Sequence, residues 1–463
     1  MANKVIPIKF SEISENIRFE PKYYLFKAKH KLAMATFSFL PLGKLGNNIA
    51  RGQSPKPYTY KKRGEGDYIF IRTADLKRNI LNTQTIVYLG EETFKTQKSN
   101  RIVANDLLIS VVGNYLGSTV VIPQNISVGT FNDNSARVRI YSDKVTPFWV
   151  SAFLNSKFGQ ELIHSMATRT GQKILSAGNV KKLEIPIIPN EIFSARLEIC
   201  INKSQVAQNC IFKAFDLFAS YLNSPCFKQQ YIFTSTFSYI SDGDLWTPRY
   251  SFPLYRQAIS DIKDRFKTER LGNIANIKKG DEVGSEEYIG YIDKKESDIP
   301  FIRTTDIVNF EPDLYPDFFV SDYLYEQINQ NLITSEVLFT KDGKIGITGM
   351  LNESDKIILS SGFARISLNS NGLRIGLTPE YLFVALSNPI IGGYQARQRT
   401  VTASTIPHLR EERLKEFIIP VFDEKKTLEI TKLIKEANLL KSEIRIELKS
   451  IKNDIDNLFE LKT

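Results

Sequence analysis

Hydrophobic and polar positions follow two rhythms along this chain, and each rhythm occurs twice. Short runs rich in β-branched residues predict strands at 67–72, 107–112 and 136–140. Their counterparts lie at 299–303, 337–340 and 364–368. Gly113-Asn114 and Asp342-Gly343 punctuate them as turns. The pattern becomes helical between Thr146 and Ser165, and again from Pro379 to Leu386. Beyond Pro420 the chain runs to Thr463 without Gly or Pro. Ile430, Leu433, Ile434, Ala437, Leu440, Ile444, Leu448, Ile451, Ile455 and Leu458 fall there at steps of three and four. That spacing predicts one apolar stripe on a helix of about 40 residues, roughly 60 Å long. A similar stripe of Leu197, Ile201, Ile211, Phe215, Phe218 and Leu222, interrupted by Ser204 and Gln208, predicts a helix from about Asn190 to Asn223 that ends before Pro225.

The two rhythms are copies of one unit. Phe10-Ser11 and Ile13 correspond to Phe237-Ser238 and Ile240, and Phe19-Glu20-Pro21-Lys22-Tyr23 to Trp246-Thr247-Pro248-Arg249-Tyr250. Leu42-Gly43 and Gly52 match Leu271-Gly272 and Gly280. Phe70-Ile71-Arg72-Thr73-Ala74-Asp75 matches Phe301-Ile302-Arg303-Thr304-Thr305-Asp306. Further along, Ala136-Arg137, Thr146-Pro147 and Ile185-Pro186 match Ala364-Arg365, Thr378-Pro379 and Ile419-Pro420. The spacing stays near half the chain length, far too long for a solenoid. The pattern predicts an α+β chain: two tandem mixed α/β domains, each followed by a long helix, with the two helices packed as a coiled-coil spacer. The expected boundaries are 1–188, 189–226, 227–420 and 421–463.

Composition narrows the class. The 463 residues carry a net charge of +10, which favours a polyanionic partner such as nucleic acid. No apolar stretch is long enough to span a membrane, and Met1-Ala2-Asn3-Lys4 opens no signal core. Cys200, Cys210 and Cys226 lack CxxC spacing and are too few for a disulfide framework, so a reducing cytoplasm is expected.

Signatures of chemistry are missing. Gly343-Lys344-Ile345-Gly346 does not fit a phosphate-binding loop. His30, His164 and His408 have no second His or Cys at ligand spacing, and read as surface or packing residues. Pro316-Asp317 lacks the carboxylate-x-Lys of a nuclease and reads as a loop, and no Asn-Pro-Pro-aromatic run marks a methyltransferase. No cofactor or metal is expected. Two similar modules suit a reader of two DNA half-sites better than an enzyme, which needs one site.

The duplicated pattern resembles the specificity subunits of Type I restriction-modification systems. The resemblance rests on Pro300-Phe301-Ile302-Arg303-Thr304-Thr305-Asp306 and its twin at Phe70. It rests also on Leu107-Leu108-Ile109-Ser110 running to Gly113, with its twin from Val337 to Gly343. A third segment, Thr402-Ala403-Ser404-Thr405-Ile406-Pro407-His408-Leu409, leads through Leu414 to Ile418-Ile419-Pro420, with a twin from Thr170 to Ser176. The resemblance implies two target-recognition domains on a helical ruler and no catalysis by the chain itself. The implied partners are double-stranded DNA with a bipartite target, methyltransferase (modification) subunits and motor-nuclease (restriction) subunits. The extra Phe-Ser…Pro-[Lys/Arg]-Tyr segment opening each copy is similar to the specificity part of fused or two-component restriction enzymes, and that alternative stays open. So does a self-sufficient nuclease or methyltransferase with an unrecognised site.

If the halves read different sequences, shared residues are scaffold or phosphate contacts, and differing loop residues read bases. Arg72 and Arg303, three residues before Asp75 and Asp306, fit an internal ion pair or a phosphate contact. Arg169, Gln172 and Lys173 in one copy, and Arg397, Gln398, Arg399 and Thr402 in the other, suit base edges in the major groove. Lys61-Lys62-Arg63 and Lys278-Lys279 suit phosphates. Asn114 and Lys344, which follow the shared glycines, complete the candidates.

Overall fold

The computed structural model describes residues 21–168, 172–227, 230, 232–243, 247–281, 299–352, 355–403 and 406–460. Phe10, Ser11, Ile13, Phe19, Glu20 and Trp246, which help open the repeats, lie outside them. The chain divides into two compact units, Met1–Gln205 with Glu443–Thr463, and Val206–Ser442.

The first unit is layered around one strand. In its four-stranded sheet, β2 (Gly46–Arg51), β10 (Ser135–Ile140), β7 (Leu107–Ser110) and β8 (Thr119–Val121) lie side by side in that order. All its pairings are antiparallel. Leu107 and Ile109 point to a layer of helices, where they meet Trp149, Phe153 and Leu162. Leu108, one residue out of phase, joins Ile71, Val120 and Phe131 on the opposite face. Side chains alternate across a strand, so a strand covered on both faces carries apolar residues at successive positions rather than every second one. All four residues of β7 are buried, which explains the unbroken run.

The covering sheet has the order β3 (Tyr60–Lys61), β5 (Val87–Leu89), β4 (Tyr68–Ile71), β9 (Gly129–Phe131), β6 (Arg101–Ile102). In it β4 and β9 run parallel. On the other side lie α1 (Pro21–Thr36), α2 (Pro147–Asn155), α3 (Lys157–Met166) and α4 (Ala177–Lys182). The single helical run expected from 146 to 165 is two helices. Thr146 caps the first by accepting from the Trp149 amide at 3.0 Å, with Pro147 in the first turn. Ser156 interrupts the run and caps the second, accepting from the Gly159 amide at 3.1 Å. The pair β1 (Ser38–Pro41) and β11 (Glu184–Ile187) brings the ends of the domain body together.

Two distant helical segments close this core. One is the start of α5 (Glu191–Leu222), which contributes Leu197, Cys200 and Ile201. The other is the end of the last helix, with Ile444, Ile451, Ile455 and Phe459. They run antiparallel: Arg196 Nη1 donates to Asp454 at 2.7 Å and Lys203 Nζ to Glu443 at 2.6 Å. Burial in this seam pushes the Cys200 thiol up to about 12. The stripe expected to finish on Leu458 finishes on Phe459 instead: Leu458 is 41% exposed and Phe459 2%. The Phe459 ring sits 4.8 Å from Phe158, 5.4 Å from Phe37 and 5.6 Å from Phe153.

The second unit repeats this construction. Its four-stranded sheet runs β13 (Ala275–Lys279), β21 (Phe363–Leu368), β18 (Val337–Thr340), β19 (Thr348–Met350). A three-stranded sheet, β17 (Phe318–Val320), β14 (Ile299–Ile302), β20 (Ile358–Leu359), covers it, with β14 parallel to β20. Again the central strand splits, Val337 and Phe339 to the helices and Leu338 to the second sheet. The strands β12 (Thr268–Arg270) and β24 (Ile418–Pro420) pair as β1 and β11 do. Two hairpins complete this copy, β15 (Ile307–Val308) with β16 (Glu311–Pro312), and β22 (Val401–Ala403) with β23 (Ile406–His408). Its helices include α6 (Pro253–Arg265), α7 (Pro379–Ser387), α8 (Gln395–Arg399) and α9 (Glu424–Phe459). Ile430, Ile434 and Ala437 of α9 and Ala207, Ile211, Phe218 and Leu222 of α5 share this core. Tyr221 Oη donates to Glu429 across them.

The shared arginine of the central sheet is internal in both copies and held differently. Arg365 is 3% exposed and bidentate to Glu336, at 2.8 and 3.0 Å. In the first unit the acid at the matching place, Asp106, binds Arg139 at 2.7 and 2.9 Å. Arg137 is left to the carbonyls of Arg101 and Asn48, and burial lowers its pKa.

Two stability outcomes follow. Phe459→Ala is expected to cost the first unit about 3–5 kcal/mol, the usual loss for a buried aromatic. Hydrogen exchange should then rise across 107–138 and stay unchanged across 337–366. Glu336→Gln strands a buried guanidinium and should cost about 3–5 kcal/mol in urea unfolding. Asp106→Asn should cost less, because its partner Arg139 has a side chain 40% exposed.

Candidate nucleic-acid interface

Because both faces of each central sheet are covered, side chains with room for a large ligand gather where strands end. In the second unit four segments meet there: the β18–β19 loop, the turn before β21, the β22–β23 hairpin and the residues after β14. The Lys341 amide donates to the Gly362 carbonyl, and the Leu409 amide to the Lys341 carbonyl, each at 2.8 Å. The Gly343 amide donates to Pro407 at 3.0 Å. A Cβ on Gly362 would fall 2.7 Å from Thr304 Cγ2, so the chain after β14 touches the same spot. His408 Nδ1 pairs with the Asp342 carboxylate.

The first unit makes the same three backbone bonds with different residues. Val111 donates to Asn134 at 2.9 Å, Leu175 to Val111 at 2.9 Å and Gly113 to Lys173 at 3.2 Å. The Asn132 amide side chain reaches Thr73 Oγ1 at 3.4 Å. Both copies also need a glycine beside this turn. A Cβ on Gly52 would lie 2.2 Å from the Asn132 carbonyl oxygen, and one on Gly280 2.1 Å from that of Ser360.

Most sequence candidates fall at these ends. Gln172 and Lys173 are exposed and adjoin Gly113-Asn114, and Asn114 is itself exposed. Lys344 is exposed in the β18–β19 loop and Thr402 on β22. Lys278 and Lys279 are exposed at the end of β13, where Lys279 pairs with Ala364 beside the turn. Lys61, Lys62 and Arg63 are exposed on and after edge strand β3; its register sets Lys61 level with Ile69 two strands away. Arg169 lies outside the described residues, as do Thr170, Gly171, Ser404 and Thr405.

Four candidates are tied inward. Arg72 donates to Asp75 from its amide at 2.9 Å and its Nε at 3.2 Å, and to the Thr85 carbonyl. Arg303 holds Asp306 at the same two distances, and Asp317 at 3.3 Å. The internal ion pair therefore occupies both guanidinium groups, each about a third exposed. Burial raises the Asp306 carboxyl while Arg303 opposes the shift. Gln398 is 5% exposed: its Nε2 donates to the Tyr250 carbonyl at 2.9 Å and its Oε1 accepts from Arg399 at 2.9 Å. Arg399 also holds Glu416 at 3.2 Å and lies over Phe417. These two side chains brace α8, and Arg397 on the same helix is exposed. His408, read from sequence as a surface or packing residue, also ties the cluster through Asp342; nothing in its spacing announces that partner.

Among the described residues, no group of three His, Cys, Asp or Glu side chains is placed to hold a metal ion. None of their helices is long and apolar enough to cross a membrane.

Comparison with known proteins gives a family match for part of the chain. Residues 263–450 match the Type I restriction modification DNA specificity domain. A comparison with curated proteins finds no match. Among solved structures, the Type I restriction-modification S subunit from M. genitalium aligns at 13% identity, over 92% of this chain and 95% of that one, with a TM-score of 0.34. The HsdS subunit from Thermoanaerobacter tengcongensis aligns at 13% identity over 92% and 97%, with a TM-score of 0.29. A chain from a study of complex assembly in a type I R-M system aligns at 14% over 91% and 97%, also at 0.29. The match to the Type I restriction modification DNA specificity domain covers residues 263–450, and the sheets, loop bonds and turn glycine of that segment recur in the first unit.

Proposed function

We propose that this chain reads a bipartite double-stranded DNA target and does no chemistry of its own. The observation that carries this reading is the pair of equivalent loop clusters, each held by three matching backbone hydrogen bonds and each lined by different exposed side chains. A conserved frame with altered tips is what two half-sites of different sequence require. On this reading 1–188 and 227–420 are the recognition domains, and 189–226 and 421–463 the helices that join them. Gln172, Lys173, Asn114, Lys344, Arg397 and Thr402 contact base edges. Lys61, Lys62, Arg63, Lys278 and Lys279 neutralise phosphates, supported by the net charge of +10. Arg72 and Arg303 shape the loops that carry these groups. The partners are methyltransferase subunits, with motor-nuclease subunits joining for restriction, in the cytoplasm.

Purified chain is expected neither to cut nor to methylate DNA, with or without S-adenosylmethionine, Mg²⁺ and ATP. Steady turnover free of contaminating enzyme would overturn that part of the proposal. Replacing residues 40–188 by the matching module of another family member should change one half of the sites selected from random DNA and leave the other half intact. A swap that changes both halves, or neither, contradicts the two-reader assignment.

A further inference from the structure

The two loop clusters share a backbone and differ in the chemistry of one exposed position. Leu175 and Leu409 make the same bond, to Val111 and Lys341 respectively. That fixes the correspondence: Ile174 stands where His408 does, Lys173 where Pro407 does, and Gln172 where Ile406 does. Gln172 is exposed. So is Ile406, at 59%, on β23, the strand of the hairpin that is tied to the β18–β19 loop.

Single exposed apolar residues are common and by themselves mean little. Here the placement is what matters. A lone two-stranded ribbon is marginally stable, yet this one is anchored at its base by three ties. They are Gly343 to Pro407, Leu409 to Lys341, and the His408–Asp342 pair. The anchored ribbon therefore offers a β-branched side chain, stiff at χ1, to solvent at a fixed place. Exposed cations lie on the segments around it: Lys344 on the tied loop, Arg397 one turn before β22, and Arg410 just after β23. An apolar tip among cations complements a groove that is lined by phosphates and carries one apolar feature.

That feature is the 5-methyl group of thymine, which projects into the major groove, a space wide enough for a two-stranded ribbon. Building on the DNA-reading function proposed above, we propose that Ile406 recognises a thymine methyl in the half-site of the second unit. Gln172, the matching residue of the first unit, addresses a purine edge by hydrogen bonding. The two copies thus read with opposite chemistry from one backbone position.

Deoxyuridine in place of thymidine removes the methyl group and nothing else, which makes the test direct. Sites selected from random DNA by the full chain in its complex are remade with deoxyuridine at each thymine in turn, and affinity is measured by competition at fixed salt. One position, confined to one half-site, should weaken binding about fourfold, the value of one buried methyl-sized group. Ile406→Ala should bind thymine and uracil versions of that site equally, at the affinity of the wild type for uracil. Ile406→Gln should likewise lose the dependence. The proposal fails if no thymine shows the effect, or if it persists in Ile406→Ala. A chain that selects no preferred sequence at all would instead overturn the DNA-reading assignment itself.

Discussion

Each half of this protein is organised by a strand that has no wet face. Leu107, Leu108 and Ile109, and their counterparts Val337, Leu338 and Phe339, are fully covered by helices on one side and a second sheet on the other. Their backbone groups are satisfied in antiparallel ladders on both sides, so this strand has no spare donors or acceptors to offer. What remains for recognition is the rim where strands turn, and the variable residues lie there. The same constraint explains why the tips can change freely: a substitution at Gln172 or Ile406 leaves the two-sided core untouched.

Duplication has sorted the residues by depth. Positions kept in both copies point inward: the Arg72–Asp75 and Arg303–Asp306 pairs, the buried Arg137 and Arg365, and the turn glycines Gly52 and Gly280. Even among these, identity of residue does not mean identity of interaction. Glu336 meets its arginine across the strand pair, whereas Asp106 meets Arg139 and leaves Arg137 to carbonyl oxygens. A buried guanidinium needs acceptors for its donors; Glu336 supplies them to Arg365, whereas the two carbonyls leave the Arg137 Nε unmet among the described residues.

Sequence pattern made the strands and long helices legible because their periodicities carry the burial directly. It failed where one side chain decides between neighbours. The break at Ser156 is invisible to periodicity, since the apolar residues continue in phase on both sides and only the cap divides them. Phe459 displaces Leu458 because a helix turns 3.6 residues per cycle, and a stripe counted in threes and fours can drift by one position. Gln398 and Arg397 are adjacent and chemically apt, and only the packing of α8 tells that one is buried. The loop positions of Asn114, Gln172, Lys173 and Lys344 were legible because the copies could be compared; the His408–Asp342 tie was not, because the spacing of the two residues does not announce it.

The contribution of residues 443–459 to the first unit has a temporal side. The second unit is one continuous stretch, 206–442, whereas the first draws on both sides of it. A ribosome adding about 5–20 residues per second finishes residue 205 well before it reaches Ile444. For roughly ten to fifty seconds at that rate, the nascent first unit holds Phe158, Phe153 and Leu197 without the helix that covers them. The part made first is therefore the last to be completed, and during synthesis its uncovered aromatic seam is the place where chaperones would be needed.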